Sequence, residues 1–378
     1  MMTSYYSENN NSTIDTLLGD NVTDAVKTSV KANLISWSVL YVTIPTQIVF
    51  DVANFAGNVC ILVTIGLLKE LHTTHDAILA AIAVNDLCLG LLVPLHILDD
   101  IPDTFYFRST KVSCVMWYQH SYTFTAVELT LLTLLCLDKL VTINLPLWYR
   151  EHINTKRMLC VITCVCGYHV IVAIAANIDE FYFMDIEWKG PKSCSMGNVY
   201  PKWFFILQKS QESAEIMFSV CMCIQVSVVV IRTHKNILER TRTNNGCSAH
   251  LALREDRSRI VHAKIMSALT FIFIILWIPH IVLLLNVDRW PKNKLSLAVH
   301  LTRLARMLNS VLNAPVYAMS REVYRKAFSY LLSTPPHRWK YLQRWLNKIR
   351  SKHEHKAISL TVPNGNHTSE TMAPASEV

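Results

Sequence analysis

Long apolar runs alternate with short polar segments along this chain. Seven apolar stretches, at about 39–68, 77–98, 113–145, 158–179, 203–231, 264–287 and 296–319, are each long enough to cross a hydrocarbon layer. Such a crossing takes roughly 20 helical residues for ~30 Å. Inside lipid the backbone satisfies its own hydrogen bonds only as helix, and the alternating pattern of a membrane β-barrel is absent. The pattern predicts an all-α membrane protein, a bundle of seven transmembrane helices. A polar N-terminus (1–38), a transmembrane domain (39–319), an amphipathic helix (320–332) and a cytoplasmic tail (333–378) complete the expected organisation.

Orientation follows from the lysines and arginines outside the spans. One alternate set of segments (69–76, 146–157, 232–264 and 320–378) holds 22 of them, and the other (1–38, 100–112, 180–202 and 288–295) holds 10. The richer side faces the cytosol, so the N-terminus is expected outside. Sequons at Asn10, Asn11 and Asn21 agree, and a fourth at Asn366 falls in the tail, where it should stay unused. Residues 1–30 carry no apolar core with a cleavage site, so the first span is expected to act as its own insertion signal.

Composition narrows the function. Charged residues make up 17% of the chain, against about 25% in an average soluble domain. The net charge of +8 is distributed as membrane topology requires, which favours anionic lipid and gives no reason to invoke nucleic acid. No phosphate loop, HExxH or nucleophile elbow occurs, so an enzyme is not expected. Of the 11 cysteines, only Cys114 and Cys194 fall at the oxidising outer face, which predicts one disulfide between the third span and the loop after the fourth.

Motifs recur one per span. The first carries Gly57-Asn58-Val59, and the second carries Leu79 to Val84 followed by Asn85-Asp86. The third opens with Cys114 and closes with Asp138-Lys139-Leu140, followed by Pro146 and Tyr149. The sixth has Phe273 and Trp277-Ile278-Pro279. The seventh has Asn309-Ser310, Asn313-Ala314-Pro315-Val316-Tyr317, and then an amphipathic stretch with Tyr324 and Phe328. Together these resemble the rhodopsin-like (class A) G-protein-coupled receptors over about residues 40–332. The resemblance implies a plasma-membrane receptor for an extracellular ligand, coupled to heterotrimeric G proteins and arrestin. It implies no cofactor beyond a sodium ion. It also implies a polar, sodium-binding cluster of Asn58, Asp86, Asn309, Ser310 and Asn313, to which this chain adds Glu128 where the family more often has serine. Phe273, Trp277, Pro279, Pro315 and Tyr317 would be the moving parts, with Asp138, Lys139 and Leu140 meeting the G protein.

The physics of these residues stands beside the resemblance. Asp86 is ionisable in mid-membrane, and such groups face the bundle interior with polar partners. Pro279 removes a backbone hydrogen bond and kinks the sixth helix. Trp277, one turn deeper, is either a switch or a core aromatic. Glu128 lies ten residues before Asp138 and should face Asp86. Two carboxylates in one dry site do not both ionise easily, so either Glu128 is neutral on Asn309 or the pair senses sodium or protons.

Several positions depart from the family pattern. Lys139 stands where the family has arginine and keeps the charge while losing the planar fork, and Leu140 replaces the tyrosine. The fourth span lacks its tryptophan, the fifth lacks a proline, and the proline of the seventh is displaced by one residue. These changes predict weakened or unusual G-protein coupling. The rival reading is a seven-helix protein that no longer signals and acts as a ligand sink or dimer partner; a transporter is the third.

The outer half of the bundle suggests the ligand. Ser121 stands where the family's amine receptors carry aspartate, and 296–319 contains no lysine for a Schiff base. Arg303 and Arg306 share one face of the seventh span, ready for an anion or for Asp99, Asp100 or Glu180. Lys209, Glu212 and Glu215 share a face of the fifth, and His280 and His300 are further candidates for the same cavity. This mixture suits a peptide or a small zwitterion. On the inner side Arg254, Arg257, Arg259 and Lys264 precede the sixth span. Basic and aromatic residues from Arg338 to Lys356 are expected to rest on anionic lipid, and Thr361, Ser369, Thr371 and Ser376 to accept phosphate.

Overall fold

The computed structural model describes residues 24–101, 110–182, 194, 200–243, 271–273, 275–280, 282–283 and 292–361. The sequons at Asn10, Asn11, Asn21 and Asn366, the cations Arg254, Arg257, Arg259 and Lys264, and Ser369, Thr371 and Ser376 lie outside these residues. Helix dominates, and no strand occurs among the described residues. The helices are α1 (Asp24–Leu67), α2 (Thr74–Gly90), α3 (Val93–Asp100), α4 (Lys111–Asn144), α5 (Pro146–His152), α6 (Thr155–Tyr182) and α7 (Lys202–Thr243). They continue as α8 (Phe271–His280), α9 (Lys292–Ser320), α10 (Glu322–Ser333) and α11 (Leu342–Thr361).

Among the described residues, four segments are both long and apolar enough to cross a membrane: Leu40–Leu67, Thr74–Leu98, Thr155–Ala176 and Lys202–Val229. The third and seventh spans, α4 and α9, have the length but not the uniform apolarity. They carry the inward-facing polar groups, among them Glu128, Asp138, Asn309 and Asn313, all buried. Their outward residues face lipid like those of the other helices, as the exposed Val42, Phe55, Ile171, Ile206 and Met217 do. The second span is made of two helices, and Pro94, with no N–H to donate, stands at the start of the second piece.

Helices in lipid gain little from apolar contact alone, so close packing and interhelical hydrogen bonds, on average ~0.6 kcal/mol each, hold them together. α1 lies against α9 and α2. Gly57 allows the first approach, since a Cβ there would stand 2.9 Å from the Cβ of Ala314. Gly90 allows the second, since a Cβ there would stand 2.9 Å from Asn54 and Asp51. α4 runs through the middle, packed on α2, α6 and α7. Its start is set by a capping box in which Thr110 and Ser113 each accept from the other's backbone N–H.

The tail differs from the expectation that it rests on lipid. After α10 the chain makes a short 3-10 turn (Pro336–Tyr341) and enters α11. Leu342 is fully buried, and Trp339, Trp345 and Leu346 pack against the main core. The Trp339 indole donates to the carbonyls of Leu331 (3.2 Å) and Thr334 (3.1 Å). Arg350 grips Glu70, in the turn after α1, with two hydrogen bonds of 3.0 and 3.1 Å. Apolar side chains that alternate with cations at helical spacing found protein to cover rather than lipid. Arg338, Lys340, Arg344 and Lys348 remain exposed on the other side.

Candidate functional site

A polar column runs down the inside of the bundle. Asp86, fully buried in α2, accepts from Ser310 Oγ (3.0 Å) and Asn313 Nδ2 (2.7 Å), both in α9. Asn58 stands beside it but donates to the carbonyl and side-chain oxygens of Asn54, leaving its own Oδ1 without a partner among the described residues. Asn54 in turn donates to the Asp86 carbonyl at 3.0 Å. Glu128 accepts from Asn309 Nδ2 at 2.8 Å. It lies within electrostatic reach of Asp86 on one side and Arg306 on the other. Oxygen donors of this kind suit a hard cation. Among the described residues no three His, Cys, Asp or Glu side chains converge as a metal site.

A second group of polar residues surrounds Arg306 and Glu212. Arg306 Nη1 donates to Thr125 Oγ1 at 3.0 Å, while its Nε is sealed and unpartnered among the described residues. Among the described residues no carboxylate comes within 4.0 Å of it, yet Glu128, Glu212 and Tyr122 all act on it electrostatically. Glu212, buried in α7, accepts from Gln208 (2.8 Å) through Oε1, and Oε2 has no described partner. Ser121 Oγ and Trp277 Nε1 are likewise uncommitted. A small cavity of about 10 Å³ between α4, α6 and α7 is lined by Tyr122, Thr123, His169, Phe204 and Gln208. Behind it Thr130 Oγ1 meets His169 Nε2 and Glu215 Oε1, each at 2.8 Å, tying three helices together. Arg303 is half-buried, and the side chains of Asp99, Asp100 and Glu180 lie outside the described set. Cys114 and Cys194 are joined by a disulfide (Cα–Cα 5.8 Å), beside the aromatic group of Tyr200 and Phe204.

Trp277 is fully buried, its ring 5.8 Å from Phe273 and 5.6 Å from His280. Pro279 and Pro315 both face outward. The one-residue displacement of Pro315 therefore puts Ala314 on the inner side, against Gly57, and α9 continues without a break. Tyr317 is buried below, 6.1 Å from the Tyr324 ring of α10.

At the end of the bundle away from the disulfide Asp138 is buried under three partners. Tyr149 of α5 donates to it, His75 Nδ1 lies 3.6 Å away, and Lys139 Nζ lies 3.9 Å away. Burial and the bond to Asp138 push the Tyr149 hydroxyl up to about 12, so it stays a donor. Leu140 is half-buried and makes no polar contact.

A second anchor was missed from the sequence. Asp76, fully buried at the start of α2, accepts from Arg321 Nη1 (2.6 Å), Tyr324 Oη (2.9 Å) and Thr73 Oγ1 (2.6 Å). Burial and the neighbouring Asp76 raise the Tyr324 hydroxyl far above its usual range. The signal was present: Thr73 followed by Asp76 is a helix-start pattern, and Thr73 Oγ1 also caps the Asp76 N–H. That an N-terminal carboxylate would also receive an arginine from a distant helix is not local information.

A family model described as "7 transmembrane receptor (rhodopsin family)" matches residues 57–317. The chain is 22% identical to trace amine-associated receptor 365 of Petromyzon marinus, over 73% of this chain and 75% of that receptor. It is 23% identical to adenosine receptor A3 of Ovis aries, over 80% of this chain and 93% of the relative. Against the alpha-1A adrenergic receptor of Bos taurus identity is 20%, and the alignment spans 73% of this chain and 64% of the relative.

Proposed function

Because this chain belongs to the rhodopsin family of seven-transmembrane receptors, we propose that it binds an extracellular ligand between its helices and drives heterotrimeric G proteins through a movement of the sixth span. Members of the family are multi-pass plasma-membrane receptors, a class distinct from enzymes. The ligand reading is a peptide or a small polar or zwitterionic molecule, with the N-terminus outside and the tail in the cytosol. The observation that carries this reading is the buried polar column of Arg306, Glu128, Asn309, Asp86, Ser310 and Asn313, in hydrogen-bonded groups within electrostatic reach of one another.

The mechanism follows from which groups are committed. Trp277 is buried with its indole N–H unpartnered among the described residues, so a ligand pressing on it tilts α8 about Pro279. Movement of α8 past α9 disturbs Asn309 and Asn313 and hence Asp86. Sodium, when bound, would balance the charge of Asp86 and Glu128, with Asn58 Oδ1 as a further oxygen donor; Arg306 is a built-in alternative cation near Glu128. At the inner end Lys139 is drawn by Asp138 and Asp76 and must leave them to reach a G protein. Arrestin and anionic lipid would share the same basic inner surface.

Lys139 is also what favours the rival, a receptor that binds ligand without signalling. A point charge offers a G protein fewer fixed hydrogen bonds than a guanidinium fork. Lys139→Arg therefore raises ligand-driven nucleotide exchange if the lysine is the weak link. Exchange unchanged by Lys139→Arg would refute the account of weakened coupling.

A further inference from the structure

We infer that the seam between α1 and α2 is a docking site for a transmembrane helix of another protein, one that carries a lysine or arginine at mid-membrane depth and sets it on Asp51. The inference goes beyond the receptor reading and needs only that α1 and α2 span the membrane.

Asp51 is an ionisable residue inside an apolar span, eleven residues in from Leu40 and so about 17 Å along the helix. Such groups are rare at this depth, and they are held by an opposite charge or by polar partners inside the bundle. The Asp51 carboxylate has neither a hydrogen bond nor an ion pair among the described residues.

Its position explains why it stays unpaired. Side chains three and four residues apart are neighbours on a helix surface. On one side Asp51 has Gln47 and Asn54, both buried, and on the other it has Ile48 and Phe55, both exposed. Asn54 spends its amide on the Asp86 carbonyl at 3.0 Å, and neither amide atom of Gln47 has a partner among the described residues. Against the carboxylate stands Gly90 of α2, where a Cβ would come within 2.9 Å of Asp51 Oδ1 and no side chain is present to donate. The acid is half-buried, at the border of the lipid-facing surface. Exposed apolar residues flank that border on both helices, Ile48, Val52 and Phe55 on α1 and Val84 and Leu91 on α2.

Charge and depth define the occupant. A helix brings a side chain to this depth with its own backbone hydrogen bonds satisfied. A cation on it would meet Asp51 through a charge-assisted hydrogen bond, the strong kind. A second copy of this chain is a poorer match. The deepest cation in the four apolar spans is Lys209, seven residues inside its span and so about 6 Å shallower than Asp51. Lys156, Arg157 and Lys202 lie at the span ends.

The test places the full chain in liposomes and reads energy transfer to dye-labelled synthetic transmembrane helices. Each is polyleucine with lysines at its ends, and the central residue is lysine, leucine or glutamate. The lysine-centred helix should associate at peptide-to-lipid ratios roughly tenfold lower than the leucine-centred one, the value of a hydrogen bond between charged groups. The glutamate-centred helix should do no better than leucine. Asp51→Asn should bring the lysine-centred helix to the leucine level, and Asp51→Glu should keep most of its advantage. Equal association of the lysine and leucine helices with the unaltered chain overturns the inference without recourse to any variant. So does an Asp51→Asn protein that melts cooperatively and still prefers the lysine helix. Self-association of the unaltered chain that Asp51→Asn abolishes would give the site to a second copy and overturn its assignment to another protein.

Discussion

Arg321, the first residue after α9, donates to Asp76, the third residue of α2, at 2.6 Å, and Tyr324 donates to the same oxygen at 2.9 Å. The seventh span, the amphipathic helix and the second span are thus joined at one fully buried carboxylate. Asp76→Asn leaves Arg321 and Tyr324 with a weaker acceptor. It should lower thermal stability by an amount on the order of 1–3 kcal/mol. Melting of Asp76→Asn, Arg321→Gln and the double variant measures this, and the double should cost less than the sum of the singles. Additive losses would show that the two residues do not act as a pair.

Gly57 and Ala314 make a steric prediction. With 2.9 Å between a Cβ at Gly57 and that of Ala314, Gly57→Ala forces α1 and α9 apart, and overpacking of this kind costs about 1–3 kcal/mol. Ala314→Gly should restore most of the loss when combined with it. Comparing melting temperatures of the three variants checks the claim, and an undisturbed Gly57→Ala protein would contradict it.

Much of this fold was legible in the chain. The seven runs, the disulfide cysteines and the positions of Asp86, Asn309, Ser310 and Asn313 follow from hydropathy and from motifs that sit one to a helix. The reach of Arg306 to Thr125 was not, because 181 residues separate them and either arginine on that face could have turned inward. Nor was the tail docking. The spacing of Leu342, Trp345 and Leu346 marks an amphipathic helix, but periodicity states only that a face is apolar, and lipid and protein satisfy it equally.

The docked tail has a pH signature. Arg350 beside Glu70 holds that carboxyl below the usual carboxylate range. A lowered value in the folded state means that the contribution to docking is complete at neutral pH and is lost as pH falls through the lowered value. Both side chains are about half exposed, so the effect is small and falls with salt. Hydrogen exchange across residues 342–351 should rise in Glu70→Gln at neutral pH to the level the unaltered chain reaches only in acid. Equal protection in both proteins at neutral pH would show that the ion pair does not hold the tail.

Tyr149 competes with Lys139 for Asp138. Tyr149→Phe removes a donor from a buried carboxylate and leaves Lys139 as its charged neighbour, so the lysine is held more tightly. Ligand-driven nucleotide exchange should fall by up to roughly tenfold, the value of one hydrogen bond to a charged group. A rise in exchange would mean that Tyr149 restrains the active state instead.

Glu128 makes a prediction about sodium. If Glu128 and Asp86 share a cation, Glu128→Ser should reduce the effect of sodium on ligand affinity, read as the shift in a binding curve between sodium and a large organic cation. An unchanged shift would assign Glu128 to its hydrogen bond with Asn309 and its field at Arg306, and to no sensing role.

The central claim is that a change in the column from Arg306 to Asn313 on ligand binding reaches a G protein through Lys139. Its most direct measurement is nucleotide exchange on a panel of heterotrimeric G proteins, in membranes expressing the chain and challenged with peptide, amino-acid and amine libraries, beside Lys139→Ala. The account predicts ligand-dependent exchange that disappears in the variant. Silence across the panel, with the protein at the cell surface and its Cys114–Cys194 bond intact, would contradict it and favour a receptor that binds without signalling.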